Sequence, residues 1–415
     1  MLRLFAFFVF LPAAWGGQAP SFTGPLRLDA LVAEVLARNP DVTAMRAAWD
    51  AARAHIAQES AFPDPVLSYG FAPRTIGQSD LDYGQTASLA LTLPWPGKQA
   101  LKGEAAGHEA EAADQALAAV RLALVEAARQ AFADWFYIHR ALALDLEDRR
   151  LLERLAHLAR VRYASGRAAR QDALRAEVEI ALRAQRRLVL ARRRSEIRAR
   201  LNALLLRTSD APLPEPAALP AASALPPLAQ LRRQALAHHP RLRALAARLA
   251  ASRQRIALAR REFWPDLTLR GGYNSLWADE RKRFTLGVAV NLPLPGRRRA
   301  RLDQAEAEAL RRQAEYHSLE AEILRQLQSA YDRVNETRRT LDLYRRRLVP
   351  LAGQSLEAAR DAYAAGGGDF LDVLDAAKRL IAVRLQLARA RSDYLKRLAT
   401  LERLSGGRLG GEGRP

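Results

Sequence analysis

The chain has no cysteine. That excludes disulfide staples, thiolate metal centres and an acylated N-terminal cysteine as a membrane anchor. Histidine is sparse, and His55, His108, His139, His157 and His317 never fall into the H-x-x-x-H spacing that sets two imidazoles on one helix face. His238 and His239 are neighbours whose side chains diverge, so they read as a helix-terminal loop before Pro240. Beyond the N-terminus no apolar run approaches the ~20 residues of a membrane-spanning helix. Gly-rich phosphate loops, nucleophile elbows and paired catalytic carboxylates in a pocket-like context are missing too, so nothing points to an enzyme or to a bound cofactor. Acidic residues are in deficit, 45 against 65 basic, for a net charge of +20. The excess is arginine scattered through Ala-rich helical patterns, as at Arg232, Arg241, Arg253 and Arg260. The clusters at 192–194, 297–299 and 345–347 lack interleaved aromatics. Solvated helix surfaces therefore explain the charge better than a nucleic-acid partner.

What is present begins with residues 1–20, which read as a secretory signal. Arg3 precedes the apolar stretch from Leu4 to Ala14, and Gly16-Gly17-Gln18-Ala19 offers a small-residue cleavage region. The chain is thus expected to be exported and not to be anchored by a helix.

The rest is a duplication. Tyr363-Ala-Ala-Gly366-Gly-Gly368-Asp369-Phe-Leu-Asp372-Val-Leu-Asp375-Ala376 interrupts a helical pattern with three glycines, which a helix does not tolerate cheaply. Tyr163-Ala-Ser-Gly166, with Arg167, Arg170 and Asp172 following, repeats the design 200 positions earlier (363 − 163). Asp372 and Asp375 are three residues apart and share a helix face. Pro40 and Pro240 hold the same offset. Leu28–Arg38 reads as a helix stopped before Pro40, with Asp41 capping a second helix to about Glu59; the second copy repeats this before and after Pro240.

Each copy then changes to period two. Leu67, Tyr69 and Phe71 face a returning strand carrying Ala87, Leu89, Leu91 and Leu93, with Thr86, Ser88, Ala90 and Thr92 opposite. Leu267, Leu269 and Tyr273 pair with Phe284, Leu286, Val288, Val290 and Leu292, against Thr285, Gly287, Ala289 and Asn291. Hairpins are expected over about 65–94 and 266–293, with strands of the length and alternation of an outer-membrane barrel; a soluble half-buried hairpin has the same alternation. Both end in Pro-x-Pro-Gly, at Leu93–Lys98 and Leu292–Arg297, a sharp corner where Lys98 and Arg297 are read as structural. Long helices follow, from about Lys98 to Ala164 and Arg297 to Ala365, each on the order of 100 Å at 1.5 Å per residue. Return helices are expected from about Gln171 to Leu206 and Asp369 to Leu404. The two repeats, 21–206 and 228–404, flank a Pro-rich surface connector at 207–227, and 405–415 reads as a flexible tail.

This plan resembles the TolC family of outer-membrane efflux proteins over essentially the whole mature chain. The tip Tyr363-x-x-Gly366 followed by Asp372-Val-Leu-Asp375-Ala376 carries the resemblance. Leu93-Pro-Trp-Pro-Gly-Lys98 and Phe62-Pro-Asp-Pro-Val66 are similar to its heavy-metal efflux branch. The resemblance implies a mainly α chain with a small β part. Three copies would close a transmembrane β-barrel, four strands from each, continued by a long periplasmic α-helical barrel. It implies a passive outer-membrane exit duct of a Gram-negative tripartite system, a homotrimer in outer-membrane lipid, served by a periplasmic adaptor and an inner-membrane pump of the RND type. Heavy-metal cations are the expected cargo; drug efflux, type I protein secretion and an adaptor role are the alternatives. Asp372, Asp375 and Tyr363 would form the periplasmic constriction, and Gly166, Arg167, Asp172, Gly366 and Gly368 the adaptor-docking tips. The family's best-known member has a basic residue where this chain has Gly368, and Arg167 and Arg170 are offered as substitutes.

Overall fold

The computed structural model describes residues 22, 24–73, 76–77, 84–220, 225–277 and 280–407. The expected signal segment and residues 408–415 of the expected tail lie outside them. Packing divides the chain into two compact units that cut across the repeats. One gathers residues up to Arg38, Ala131–Pro220 and Ala352–Ala388; the other gathers Asn39–Gln130, Ala221–Leu351 and the residues from Arg389 on.

Helices α1 (Leu28–Arg38) and α2 (Pro40–Ser60) in the first copy match α5 (Leu228–His238) and α6 (Pro240–Arg261) in the second. The break between each pair falls before a proline, whose ring excludes the α conformation from its predecessor. The cap of α2 differs from expectation. Asn39 is the N-cap, its side chain accepting from the Asp41 N–H at 3.0 Å, with Pro40 at the first helical position and Asp41 in the first turn.

Strands β1 (Val66–Phe71), β2 (Gln85–Leu93), β3 (Leu267–Asn274) and β4 (Phe284–Val290) form one antiparallel sheet in that order. The two expected hairpins are joined by β2 pairing with β3, which the sequence did not announce. Register then lines up whole rows. Leu67, Leu89, Gly271 and Leu286 cross the four strands on one face; Ser68, Ser88, Gly272 and Thr285 cross on the other. The apolar face is bare: Leu286 is 95% exposed, and Phe284 and Leu67 76% each. A water-facing sheet does not leave such a surface open.

The two corners into the long helices are not alike. Gly97 turns with φ +88° ahead of α3 (Lys98–Ala164), whereas α7 (Pro295–Leu343) starts directly on Pro295. At the first corner the Lys98 ammonium donates to the Asp266 carboxylate at 2.7 Å and the Trp264 carbonyl at 2.8 Å. The Trp95 N–H donates to the same carboxylate at 2.8 Å, and Trp95 stacks on Trp264 with centroids 5.0 Å apart. A buried lysine held by these two acceptors ties the two copies together where strand becomes helix.

The first long helix runs unbroken for 67 residues. The second does not: α7 passes through a π-helical turn, Tyr344–Leu348, into α8 (Val349–Ala365). Pro350 explains it. Its missing N–H and its ring cannot sit over the carbonyl four residues back, and the Val349 N–H bonds instead to Tyr344 O, five residues back. Return helices α4 (Arg170–Leu204) and α9 (Phe370–Ser405) complete the copies.

The connector is more than a surface linker. Leu26, fully buried, bridges to Pro216, and the indole N–H of buried Trp135 donates to the Pro214 carbonyl at 2.9 Å. Asn202, also fully buried, donates to the Ser209 and Ala211 carbonyls. The prolines leave these carbonyls free of regular pairing, and buried side chains use them. The first residues of the expected tail are likewise ordered: Gly406 (φ +87°) caps α9, and a Cβ there would lie 3.0 Å from the His238 carbonyl.

Candidate functional site

Both tips are built by the same backbone device. At the first, the Gly166 N–H bonds to Tyr163 O and the Arg167 N–H to Arg162 O; at the second, Gly366 bonds to Tyr363 O and Gly367 to Ala362 O. These are paired reverse bonds of a Schellman cap, with glycine in the left-handed position at φ +70° and +91°. Helix α9 then starts just after Asp369, whose carboxylate accepts the Leu371 N–H at 3.1 Å. Asp172 and Asp372 each sit in the first turn of a return helix, where the helix dipole favours negative charge.

Side chains make the tips unequal. Tyr163 is 49% exposed, while Tyr363 is buried at 3%. The Tyr363 ring packs against Phe370 at 5.4 Å between centroids, and the Arg162 guanidinium lies over it at 4.4 Å. Its hydroxyl donates to the Asp172 carboxylate at 3.4 Å. Burial and the Asp172 charge push the phenol pKa upward, so it stays a donor. Around it Leu155, Ala159, Ala176, Val373 and Ala377 form one apolar cluster drawn from α3, α4 and α9.

Of the sequence-predicted residues, the structure brings Tyr363 and Asp172 together. Asp372 and Asp375 stay on the exposed face of α9, apart from Tyr363's hydrogen bond, and Gly166 and Arg167 lie exposed at the first tip. The basic partner of the tyrosine is Arg162, and not Arg167 or Arg170. Sequence reading missed it because an arginine ending a long Arg-rich helix looks like solvated surface. Gly368 has its own reason for being glycine: a Cβ there would lie 3.1 Å from the Tyr363 backbone nitrogen and 3.2 Å from Ala362. A side chain there requires the end of α8 to give by a few tenths of an ångström, which works against a latch residue at this position.

A second charged group went unseen in the sequence. Asp145 and Asp148, one helical turn apart on α3, are both buried. Burial raises the Asp148 carboxyl to about 6, with Asp145 adding to it and Arg183, Arg384 and Arg186 opposing. His239, as expected, is the loop residue between α5 and α6; burial, Arg403 and Arg241 hold its pKa down at about 4. Among the described residues no cluster of three metal-ligating side chains occurs.

Comparison with known proteins decides what this architecture is. The model of the outer membrane efflux protein family matches twice, over residues 31–205 and 231–407. The chain belongs to the outer membrane efflux protein family. It is 25% identical to the cobalt-zinc-cadmium resistance protein CzcC of Cupriavidus metallidurans, over 92% of this chain and 90% of that protein. In fold it is similar to the outer membrane protein VceC of Vibrio cholerae (TM-score 0.76, 20% identity, 92% of this chain and 97% of that one). The open-state MtrE outer membrane channel of Neisseria gonorrhoeae is equally similar (TM-score 0.76, 20% identity, 92% and 89%). This efflux-family chain is an outer-membrane exit duct reaching into the periplasm, of a kind that works with adaptors and inner-membrane pumps. The adaptor reading falls with the family match.

Proposed function

We propose that three copies of this chain assemble into one conduit, and that it carries heavy-metal cations out of a tripartite system with a periplasmic adaptor and an RND-type pump. The exposed apolar face of the sheet carries the assembly. Four strands are too few to close a barrel, and an open edge in lipid leaves backbone groups unsatisfied, so further strands must come from other copies. The repeats 21–206 and 228–404, with the 207–227 connector, are the unit of duplication behind each copy's share. Heat-resistant trimers in the outer-membrane fraction are the expected result; recovery as monomer or from the inner membrane sinks the proposal.

Similarity to a cobalt-zinc-cadmium resistance protein supports the metal cargo. A deletion strain is expected to accumulate cobalt, zinc or cadmium ions and not a hydrophobic dye; dye retention alone would move the duct to drug efflux. At the tips, Gly166, Arg167, Asp172, Gly366 and Gly368 form the adaptor's docking surface. Tyr363 holds the constriction shut, and Asp372 and Asp375 present carboxylates from each copy that favour cations. Replacing both with alanine should weaken cation preference in bilayer recordings, and unchanged preference removes them from the gate.

A further inference from the structure

The barrel section of the duct carries a charge of the opposite sign. Across β1, β2, β3 and β4 a single residue is ionised at neutral pH: Arg270. Its place is fixed by register. It lies one residue from Leu269 and Gly271, hence on the face shared with Ser68, Ser88, Thr92, Thr268 and Thr285, opposite the bare apolar face. Its direct cross-strand neighbours are Ala90 on β2 and Gly287 on β4. Neither reaches up to cover it, and a Cβ built on Gly287 would meet nothing within 4 Å. The side chain is exposed, and among the described residues no carboxylate pairs with it.

An apolar exterior and a polar interior are what a lipid-embedded barrel requires, and substitutions on the interior face tune selectivity. A lone arginine on that face, flanked by two of the smallest residues and with no carboxylate pairing with it among the described residues, keeps its full charge directed at whatever passes. We infer that Arg270 is a selectivity-determining residue, which in the assembled duct sets a ring of positive charge in the barrel lumen that favours anions and opposes bare divalent cations. Metal cargo crosses this section accompanied by counter-anions, or as a complex of reduced charge. The inference rests on the proposed multi-copy duct.

The test is the reversal potential of purified full-length protein in planar bilayers under a potassium chloride gradient. The channel carries Asp372→Asn and Asp375→Asn, so that the proposed tip carboxylates do not mask the barrel. Arg270→Glu should lower the chloride-to-potassium permeability ratio about threefold or more at 0.1 M salt, where the Debye length is ~10 Å, and much less at 1 M, where it is ~3 Å. Arg270→Ser should fall between, and Arg270→Lys should match the parent. Equal ratios for the parent, Glu and Ser channels overturn the inference while leaving the duct intact. A shift that is the same at both salt concentrations also overturns it, because it reports a reshaped pore. Absence of any conductance from the protein, even with Tyr363→Ala opening the proposed constriction, brings down the duct reading itself. Heat-resistant oligomer on gels confirms that each variant has assembled.

Discussion

The two copies share their backbone and differ in what their side chains were asked to do. Both tips close with the same glycine-capped reverse bonds, yet the tyrosine that precedes the glycine is solvent-facing in the first and buried in the second. The first tip lends its charges, Arg162 and Asp172, to the tyrosine of the second. Upstream the same asymmetry appears in the long helices. Position 145 is a buried aspartate in one copy and Arg345 in the other; position 148 is a buried aspartate against Leu348, inside the π-turn. Duplication supplied a repeated scaffold, and divergence made one copy a donor of partners to the other.

Substitution at the paired tyrosines tests that division most strongly. Tyr363→Ala should cost about 3–5 kcal/mol of local stability, the range for emptying an aromatic core site, and Tyr163→Ala under ~0.5 kcal/mol. Hydrogen exchange at the end of α3 and start of α4 for Tyr163, and at the end of α8 and start of α9 for Tyr363, measures the two costs; equal costs would abolish the distinction between the tips. Channel opening should follow the same order in bilayer recordings.

The buried aspartate in the first long helix comes next. Its pKa lies higher folded than unfolded, so the folded state takes up a proton between about pH 4 and about 6. Stability from this group is therefore fully present below about pH 4 and lost as pH rises through about 6. The wild-type-minus-Asp148→Asn difference in unfolding free energy should fall by on the order of 1–3 kcal/mol across that window. A difference flat with pH would mean that Asp148 is solvated.

At Gly368 a side chain would come within 3.1 Å of the Tyr363 backbone nitrogen, whereas the equivalent position of the first tip is Ala168. Gly368→Lys should lower tip stability by about 1–3 kcal/mol, the cost of overpacking, and should not create a tighter latch. Reduced conductance in that variant would speak for a latch after all. Gly166→Ala and Gly366→Ala, by contrast, should cost about 1 kcal/mol each, since both glycines hold the left-handed conformation. Smaller than these glycine effects is Arg162→Gln, expected to lose roughly 0.5–1 kcal/mol of cation–π contact and to act through Tyr363 alone. A double cycle with Tyr363→Leu should show the coupling; additive effects would separate the two.

Much of the fold is legible in the order of residues alone. Leu28–Arg38 and Lys98–Ala164 appear at the expected bounds, because long periodic stripes bounded by proline or glycine leave the backbone few alternatives. The alternation around Leu286 points to a membrane face, and the tip motif points to Tyr363. Arg162, the Asp145–Asp148 pair and the Lys98–Asp266 tie are illegible there, since each depends on residues far apart in the chain. Pro350 is in plain view, but a sequence does not say whether a proline kinks a helix, ends it or widens one turn.

The sequence by itself determined the repeat, the periods, the punctuation and which strand face is apolar, because these follow from local sterics and side-chain spacing. Only the tertiary structure decided that the hairpins join through β2 and β3, that one tyrosine is buried and its twin exposed, and which arginine lies over it. Those outcomes are set by register and by packing between helices, where the nearest neighbour in space is about two hundred residues away in the chain.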